Sequence, residues 1–310
     1  MLGPNEKVLY VLTGPTAVGK SALALDWAEK RGAEIVSCDS LLFYRGMDIG
    51  TAKPTADALA RVPHHLIDVC EVTEQMDISR YVEAVRQTLS ALAARGRRAL
   101  IVGGSGFYLR AFFAPVADEV KVPPGLRAEI EGRLETAGLA ALVDELALLD
   151  PAGIRSIDTS NPRRVLRALE RCRATGRTLA ELAADFARQP RPFSDWTAQL
   201  TLLDRSADEL NARITQRVSA MLESGLIDEV RRLMEAGLKS NLSAARAIGY
   251  RETIDLLEGR ISTAELPAAI IQNTRALVKK QRTWFRTQIP AHRVINPDTC
   301  ELDDLFEPPT

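Results

Sequence analysis

Short apolar runs alternate along the chain with stretches of helical spacing, and that alternation predicts an α/β fold. Val8-Leu9-Tyr10-Val11-Leu12 is uninterrupted and rich in β-sheet formers, as expected of a buried strand, and it runs through a glycine-containing loop into helix-forming Ala22 to Arg31. Ala33 to Asp39, His64 to Val69, Ala99 to Val102 and Gln199 to Asp204 read as further strands. Ile78, Val82, Val85, Leu89 and Leu92 recur every three or four residues, which predicts a helix over Ile78–Ala94. Two more helices are expected from Asp208 to Ser224 and from Leu226 to Ala236, each followed by glycine, another opens near Ala244–Arg251, and a long one runs from about Pro267 to Gln288. The residues after Asp298 read as a loose tail. In the middle the pattern changes. After Pro123-Pro124-Gly125 it is helical, with turns at Asp150-Pro151-Ala152-Gly153 and Ser160-Asn161-Pro162, until Gln189-Pro190-Arg191-Pro192 breaks it. The expected organisation is a parallel sheet flanked by helices in two parts, residues 1–117 and 195–310, with an all-helical insertion over 118–194.

The loop after the first strand adds chemistry. Gly14-Pro15-Thr16-Ala17-Val18-Gly19-Lys20-Ser21 has the form GxxxxGK followed by a hydroxyl residue, between a strand and a helix. Its backbone N–H groups and the helix N-terminus form a phosphate cradle, with Lys20 to reach phosphate oxygens and Ser21 to hold Mg²⁺. In open α/β sheets ligands gather at the carboxyl ends of strands, which places Asp39 and the Ser105 hydroxyl of Gly103-Gly104-Ser105-Gly106 beside the cradle. A motor or switch NTPase would usually end the latter strand in a Mg²⁺-holding Asp, whereas this one ends in Gly-Gly-Ser.

Composition excludes several classes. Hydrophobic residues make up 46% and charged residues 26%, no apolar run is long enough to span a membrane, and the N-terminus lacks a signal pattern, so a cytoplasmic protein is expected. Four cysteines stand far apart, without a zinc or disulfide spacing. The adjacent His64 and His65 would point to opposite faces of a strand, which argues against one shared metal. The net charge of −1 hides local asymmetry: seven arginines lie between Arg155 and Arg177 against two acids, with Arg163, Arg167 and Arg171 on one helical face. Five basic residues and no acid lie between Asn273 and Arg286, with Trp284 and Phe285 among them. Such patches suit a polyanion, and the insertion suits RNA; the two aromatics fit a core better than a stacking surface.

The successive motifs Gly14–Ser21, Asp39-Ser40 through Arg45-Gly46-Met47-Asp48-Ile49-Gly50-Thr51-Ala52-Lys53-Pro54, His64-His65-Leu66-Ile67-Asp68, Gly103–Tyr108, Arg163–Glu170, Arg246-Ala247-Ile248-Gly249-Tyr250-Arg251 and Lys279–Trp284 resemble those of the bacterial tRNA dimethylallyltransferase family, in order and over nearly the whole chain. The resemblance implies a P-loop NTPase-like fold with a tRNA-binding insertion that holds the anticodon arm. It implies transfer of a dimethylallyl group from dimethylallyl diphosphate to N6 of the adenosine 3′ of the anticodon, position 37. In the family the P-loop grips the prenyl diphosphate. Asp39 falls on the general base, Ser105 on a position usually Thr, Lys20 and Arg217 on basic positions that neutralise the leaving diphosphate. Asp39, Ser40, Leu41, Leu42, Ser105, Arg127, Arg163, Arg164, Val165, Leu166 and Arg167 fall on tRNA-contacting positions. The insertion departs from the family at Ile157-Asp158-Thr159-Ser160-Asn161, where a His-Pro-Asn-Asp turn is usual. Mg²⁺ is the expected cofactor, tRNA and dimethylallyl diphosphate the expected partners, and a monomer the expected state. The alternatives are an adenylate isopentenyltransferase acting on free nucleotide and a P-loop small-molecule kinase.

Overall fold

The protein is described from a computed structural model that covers residues 7–116, 118, 120–290 and 292–306. It forms two compact units: Met1–Ala114 with Pro192–Thr310, and Pro115–Arg191.

The first unit is built on a six-stranded sheet. Strands β1 (Val8–Thr13), β2 (Ala33–Ser37), β3 (His64–His65), β4 (Arg98–Val102), β5 (Thr197–Leu203) and β6 (Arg293–Ile295) lie in the order β3-β2-β4-β1-β5-β6, all parallel. Parallel strands need crossover helices that cover the sheet, and this explains why the β2 residues are all buried. The crossovers within 8–114 contain α1 (Lys20–Arg31), α2 (Ala56–Arg61), α3 (Ile78–Ala94) and α4 (Gly106–Leu109). Helix α3 has the expected bounds, starts at an Asp77 side chain that accepts from Arg80 N–H, and buries Tyr81, Val85, Leu89 and Leu92. Tyr81, Phe43 and Tyr108 form an aromatic cluster with ring centroids 4.7–5.7 Å apart.

Two expectations fail here. The strand expected from His64 to Val69 is only the residues His64–His65, because Leu66 and Asp68 take left-handed backbone angles (φ +61° and +56°) that turn the chain out of the sheet. The expected loose tail is instead docked. Thr201 donates to the Leu305 carbonyl at 2.6 Å, and Phe306 packs against Tyr10 and Trp27 with centroids 5.0 and 4.9 Å away, while β6, just before this segment, pairs with β5. Residues 307–310 lie outside the described residues.

The second unit carries α5 (Pro124–Leu149, broken at Gly138), α6 (Pro162–Thr175) and α7 (Leu179–Arg188) around a core of its own, with Ile130, Leu142, Leu146, Val165 and Leu169 fully buried. Buried Asp150 ties its turns together by accepting from Gly153 N–H at 2.8 Å and Leu179 N–H at 2.7 Å. Asn161 caps α6, and Thr178 and Glu181 form a capping box on α7. In the first unit the chain continues through α8 (Ala207–Glu223), α9 (Leu226–Glu235), α10 (Leu242–Ala245), α11 (Tyr250–Leu257) and α12 (Leu266–Gln288).

Candidate active site at the carboxyl ends of the strands

The ends of β1, β2, β4 and β5 converge because the strands are parallel and neighbouring. The closest approach is at Gly103, where a Cβ would come within 2.0 Å of the Cys38 carbonyl oxygen, so only glycine lets the β4 exit pass the β2 exit. Ser105 N–H donates to that carbonyl at 3.4 Å, and Thr13 donates from its hydroxyl to the Gly103 carbonyl at 2.8 Å. Asp39 and Ser105 follow these two strand exits, and both line the same cavity. The Asp39 carboxylate accepts from Leu41 N–H at 3.0 Å.

Beside the loop lies a cavity of about 530 Å³. Its polar lining includes Thr16, Asp39, Ser40, Thr51, Ser105 and Arg217. Its apolar lining includes Ile214, Val218 and Met221 from α8, Ile248, and Ile270, Leu277 and Phe285 from α12. Both helices present one face at three- and four-residue intervals, Ile214, Val218 and Met221 on α8 and Ile270, Thr274, Leu277, Gln281 and Trp284 on α12. Leu41 also lines the cavity, whereas the Leu42 backbone carbonyl accepts from Asp68 N–H in the neighbouring turn. Trp284 and Phe285 both line the cavity; Phe285 is buried as expected of core, whereas Trp284 is only half-buried.

Positive charge surrounds the P-loop. Lys20 donates to the carbonyls of Gly14 (2.8 Å) and Pro15 (2.9 Å), inside the loop. Burial lowers its pKa to about 8, against the opposing pull of Asp39. Arg217 donates to the Thr51 carbonyl at 3.1 Å and approaches the Thr16 hydroxyl at 3.5 Å; its burial also lowers its pKa. Sequence reasoning missed three further partners. Arg213 donates to the Ala17 carbonyl (2.7 Å), Arg205 to the Val18 carbonyl (2.8 Å), and Gln281 accepts from Thr16 N–H (2.9 Å) while donating to the Gly104 carbonyl (3.0 Å). These partners lie 177 or more positions away in sequence. Only Gln281, inside the Lys279–Trp284 motif, had any signal.

Ser21 is exposed in the first turn of α1. His64 and His65 do not converge: one ring nitrogen pairs with the Val62 carbonyl and the other with the Glu34 carboxylate.

Within the second unit, the arginine face is more neutralised than sequence alone suggests. Arg164, Arg167, Arg171, Arg173 and Arg177 each have a carboxylate within 4.0 Å, contributed by Asp158, Glu170, Asp118, Glu129 with Glu145, and Asp185. Arg127 pairs with Glu170 at 3.2 Å. Among the described residues, Arg155 and Arg163 have no carboxylate partner. Val165, expected at the RNA surface, is fully buried in the unit's core, and Leu166 packs against that core. The spacing that puts arginines on one face of α6 puts Val165 on the other.

A P-loop between β1 and α1, beside a cavity lined by Asp39, Arg217 and aliphatic side chains, marks a P-loop enzyme of the group-transfer class. Residues 42–288 match the family described as IPP transferase, and the chain belongs to that family. It is 66% identical over 288 residues to the tRNA dimethylallyltransferase of Opitutus terrae, covering 93% of this chain and 92% of that one. Among solved structures it is similar to a tRNA isopentenylpyrophosphate transferase from Bacillus halodurans (32% identity, TM-score 0.66, covering 94% of this chain and 90% of that one). It is also similar to a eukaryotic dimethylallyltransferase crystallised acting on tRNA (25% identity, TM-score 0.76, covering 91% and 70%).

Proposed function

We propose that this enzyme transfers a dimethylallyl group from dimethylallyl diphosphate to N6 of adenosine 37 in tRNA and releases diphosphate. The observation that carries the substrate assignment is the cavity itself, whose lining combines Thr16 of the P-loop and Arg217 with aliphatic side chains of α8 and α12. Five buried prenyl carbons at ~0.8 kcal/mol each would contribute about 4 kcal/mol of binding, which a phosphate site alone lacks. A bond forms between N6 and the allyl carbon as the bond from that carbon to the diphosphate oxygen breaks. The N6 proton passes to the Asp39 carboxylate. The N6 lone pair is delocalised into the purine, so removing that proton as the bond forms is where a general base helps most. Lys20, Arg217 and the loop N–H groups take up the charge of the departing diphosphate. Ser105 orients the base, and apolar walls keep water from the allyl carbon.

Mg²⁺ suits this donor set. Among the described residues no three His, Cys, Asp or Glu side chains cluster as a metal site. Ser21 would supply one ligand, with diphosphate and water supplying the rest, the usual habit of magnesium. When bound it would neutralise charge on the leaving diphosphate.

The adenine must leave its stack to reach Asp39, and unstacked loop bases are the part of RNA that proteins read. The insertion, with Arg127 and the α6 arginines, is the proposed grip on the anticodon arm. No helix among the described residues is long and apolar enough to cross a membrane. All four cysteines are free thiols, as suits the cytoplasm, where we place the enzyme as a monomer.

Incubation with radiolabelled dimethylallyl diphosphate and unmodified tRNA, AMP or no acceptor tests the proposal. Label in tRNA, lost when A37 is replaced by G, is expected. Label in AMP alone would identify a free-nucleotide prenyltransferase, and ATP turnover without prenyl diphosphate would identify a kinase. Elution from a sizing column above the monomer mass would refute the monomer.

A further inference from the structure

Glu229 is 2% exposed and belongs to neither the sheet nor the cavity lining. Its carboxylate is nevertheless fully occupied. One oxygen accepts from Asp48 N–H (3.1 Å) and Ile49 N–H (2.7 Å), the other from Gly50 N–H (3.1 Å) and the Tyr250 hydroxyl (2.7 Å). Three consecutive backbone donors on one buried carboxylate fix the backbone direction of that stretch, since no neutral side chain accepts four such bonds. Tyr250 is itself fully buried, and its hydroxyl pKa is raised by burial and by the adjoining Glu229. A Cβ on Gly50 would fall 2.5 Å from the Tyr250 ring, so the loop backbone lies directly on that ring.

The immobilised stretch continues into the site. Thr51 turns its hydroxyl back to the Met47 carbonyl (2.7 Å) and lines the cavity, while its own carbonyl accepts from Arg217 at 3.1 Å. The loop is closed from the far side by Lys53, whose buried ammonium meets Asp48 and Asp68 at 2.5 Å each and the Tyr44 carbonyl at 3.1 Å. Arg217 therefore has its guanidinium anchored by a carbonyl whose position is set by Glu229 and Tyr250, two groups from α9 and α11 that do not reach the reacting atoms.

We infer that Glu229 and Tyr250 are positioning residues for the transfer reaction, which hold the Asp48–Thr51 backbone so that Thr51 aims Arg217 at the departing diphosphate. The inference rests on the proposed role of Arg217. A long, flexible arginine in a largely buried place needs a fixed acceptor to keep one rotamer, and preorganised charge costs no reorganisation at the moment of reaction. Glu229→Gln puts an amide donor among four donors, and Tyr250→Phe removes one bond while leaving the ring against Gly50.

The test is a double-mutant cycle in single-turnover transfer to tRNA, with thermal melting and tRNA affinity measured in parallel. Arg217→Ala should slow transfer by about 10²-fold. Tyr250→Phe should slow it by about 5-fold and Glu229→Gln by ~30-fold, with tRNA affinity unchanged. In the Arg217→Ala background neither substitution should slow it further, because both act through that guanidinium. A merely structural role would instead multiply the losses in both backgrounds. If Glu229→Gln does not fold, Tyr250→Phe alone completes the cycle. Multiplicative losses, or an unchanged rate in Tyr250→Phe when Arg217→Ala is slow, would overturn the inference and leave the Arg217 assignment standing. An unchanged rate in Arg217→Ala would overturn both.

Discussion

The Lys20 ammonium illustrates how a single residue is tuned by the loop that carries it. Burial lowers its pKa to about 8 from an ordinary value of 10.5, with Asp39 opposing the shift and Arg217 reinforcing it. Between those pH values the unfolded chain keeps a proton that the folded enzyme has lost, so this group makes folding more favourable as pH rises through that window. Anion binding has the opposite sign, because only the protonated form attracts diphosphate. We expect kcat/KM for the prenyl diphosphate to fall about tenfold per pH unit above 8, and Lys20→Arg to remove that limb because a guanidinium stays charged. A limb that persists in Lys20→Arg belongs to another group. Asp39 lines the cavity and accepts from Leu41 N–H. Asp39→Ala should slow single-turnover transfer by ~10² or more with tRNA affinity nearly unchanged in filter binding, and a normal rate would remove Asp39 from the role. Lys20 and Ser21 are legible in the sequence because the P-loop is a local motif, and Asp39 and Ser105 because parallel strands bring their carboxyl ends together. Arg217 is legible only through family resemblance. Arg205, Arg213 and Glu229 are not, since each acts on backbone groups brought near by the fold from far along the chain.

Among the elements, those whose sequence pattern is local are the best anticipated. Helix α3 carries its own cap and its own apolar stripe, and its bounds agree with expectation. β6 has three residues, two of them exposed, and exists because β5 offers an edge to pair with. Helix α12 is intermediate: the seven-residue spacing of Ile270, Leu277 and Trp284 announces a buried stripe, but the cavity beneath it needs α8, contributed from an earlier part of the chain. Helix α6 shows why counting charges misleads. Arg173 is held by Glu129 at 2.8 Å and approached by Glu145, whereas Arg163 has no carboxylate partner among the described residues. Only a cation free to approach phosphate releases counterions there. The slope of log K against log salt should therefore shrink by about 0.7–0.9 in Arg163→Ala, by less in Arg167→Ala, and hardly at all in Arg173→Ala. Equal changes in Arg163→Ala and Arg173→Ala would mean that the ion pairs open on binding and that the free face does not select the contacts.

At the scale of the molecule, the chain leaves the sheet unit after Ala114 and returns at Pro192, and the residues flanking the excursion lie together. Phe112 stacks on Phe193 with centroids 5.0 Å apart and planes 19° from parallel, and Arg86 donates to the Pro192 carbonyl at 3.1 Å. The excursion has its own core, with Ile130, Leu142, Leu146, Val165 and Leu169 fully buried. A unit with a private core, entered and left at one place, can be removed without opening the sheet. Replacing residues 115–191 by a short Gly-Ser linker should leave a folded protein that still binds dimethylallyl diphosphate, because every side chain lining the cavity comes from outside that range. Its tRNA affinity should fall by about 10²-fold near physiological salt, with most of the salt dependence lost, because the arginines assigned to phosphate contact leave with the insertion. Calorimetry with the prenyl diphosphate and filter binding with tRNA separate the two outcomes. Retained tRNA affinity would transfer the RNA grip to the basic stripe of α12, where Arg275, Lys279 and Arg286 stand without an acid between Asn273 and Arg286. Loss of prenyl diphosphate binding in a folded variant would mean that the cavity depends on the insertion.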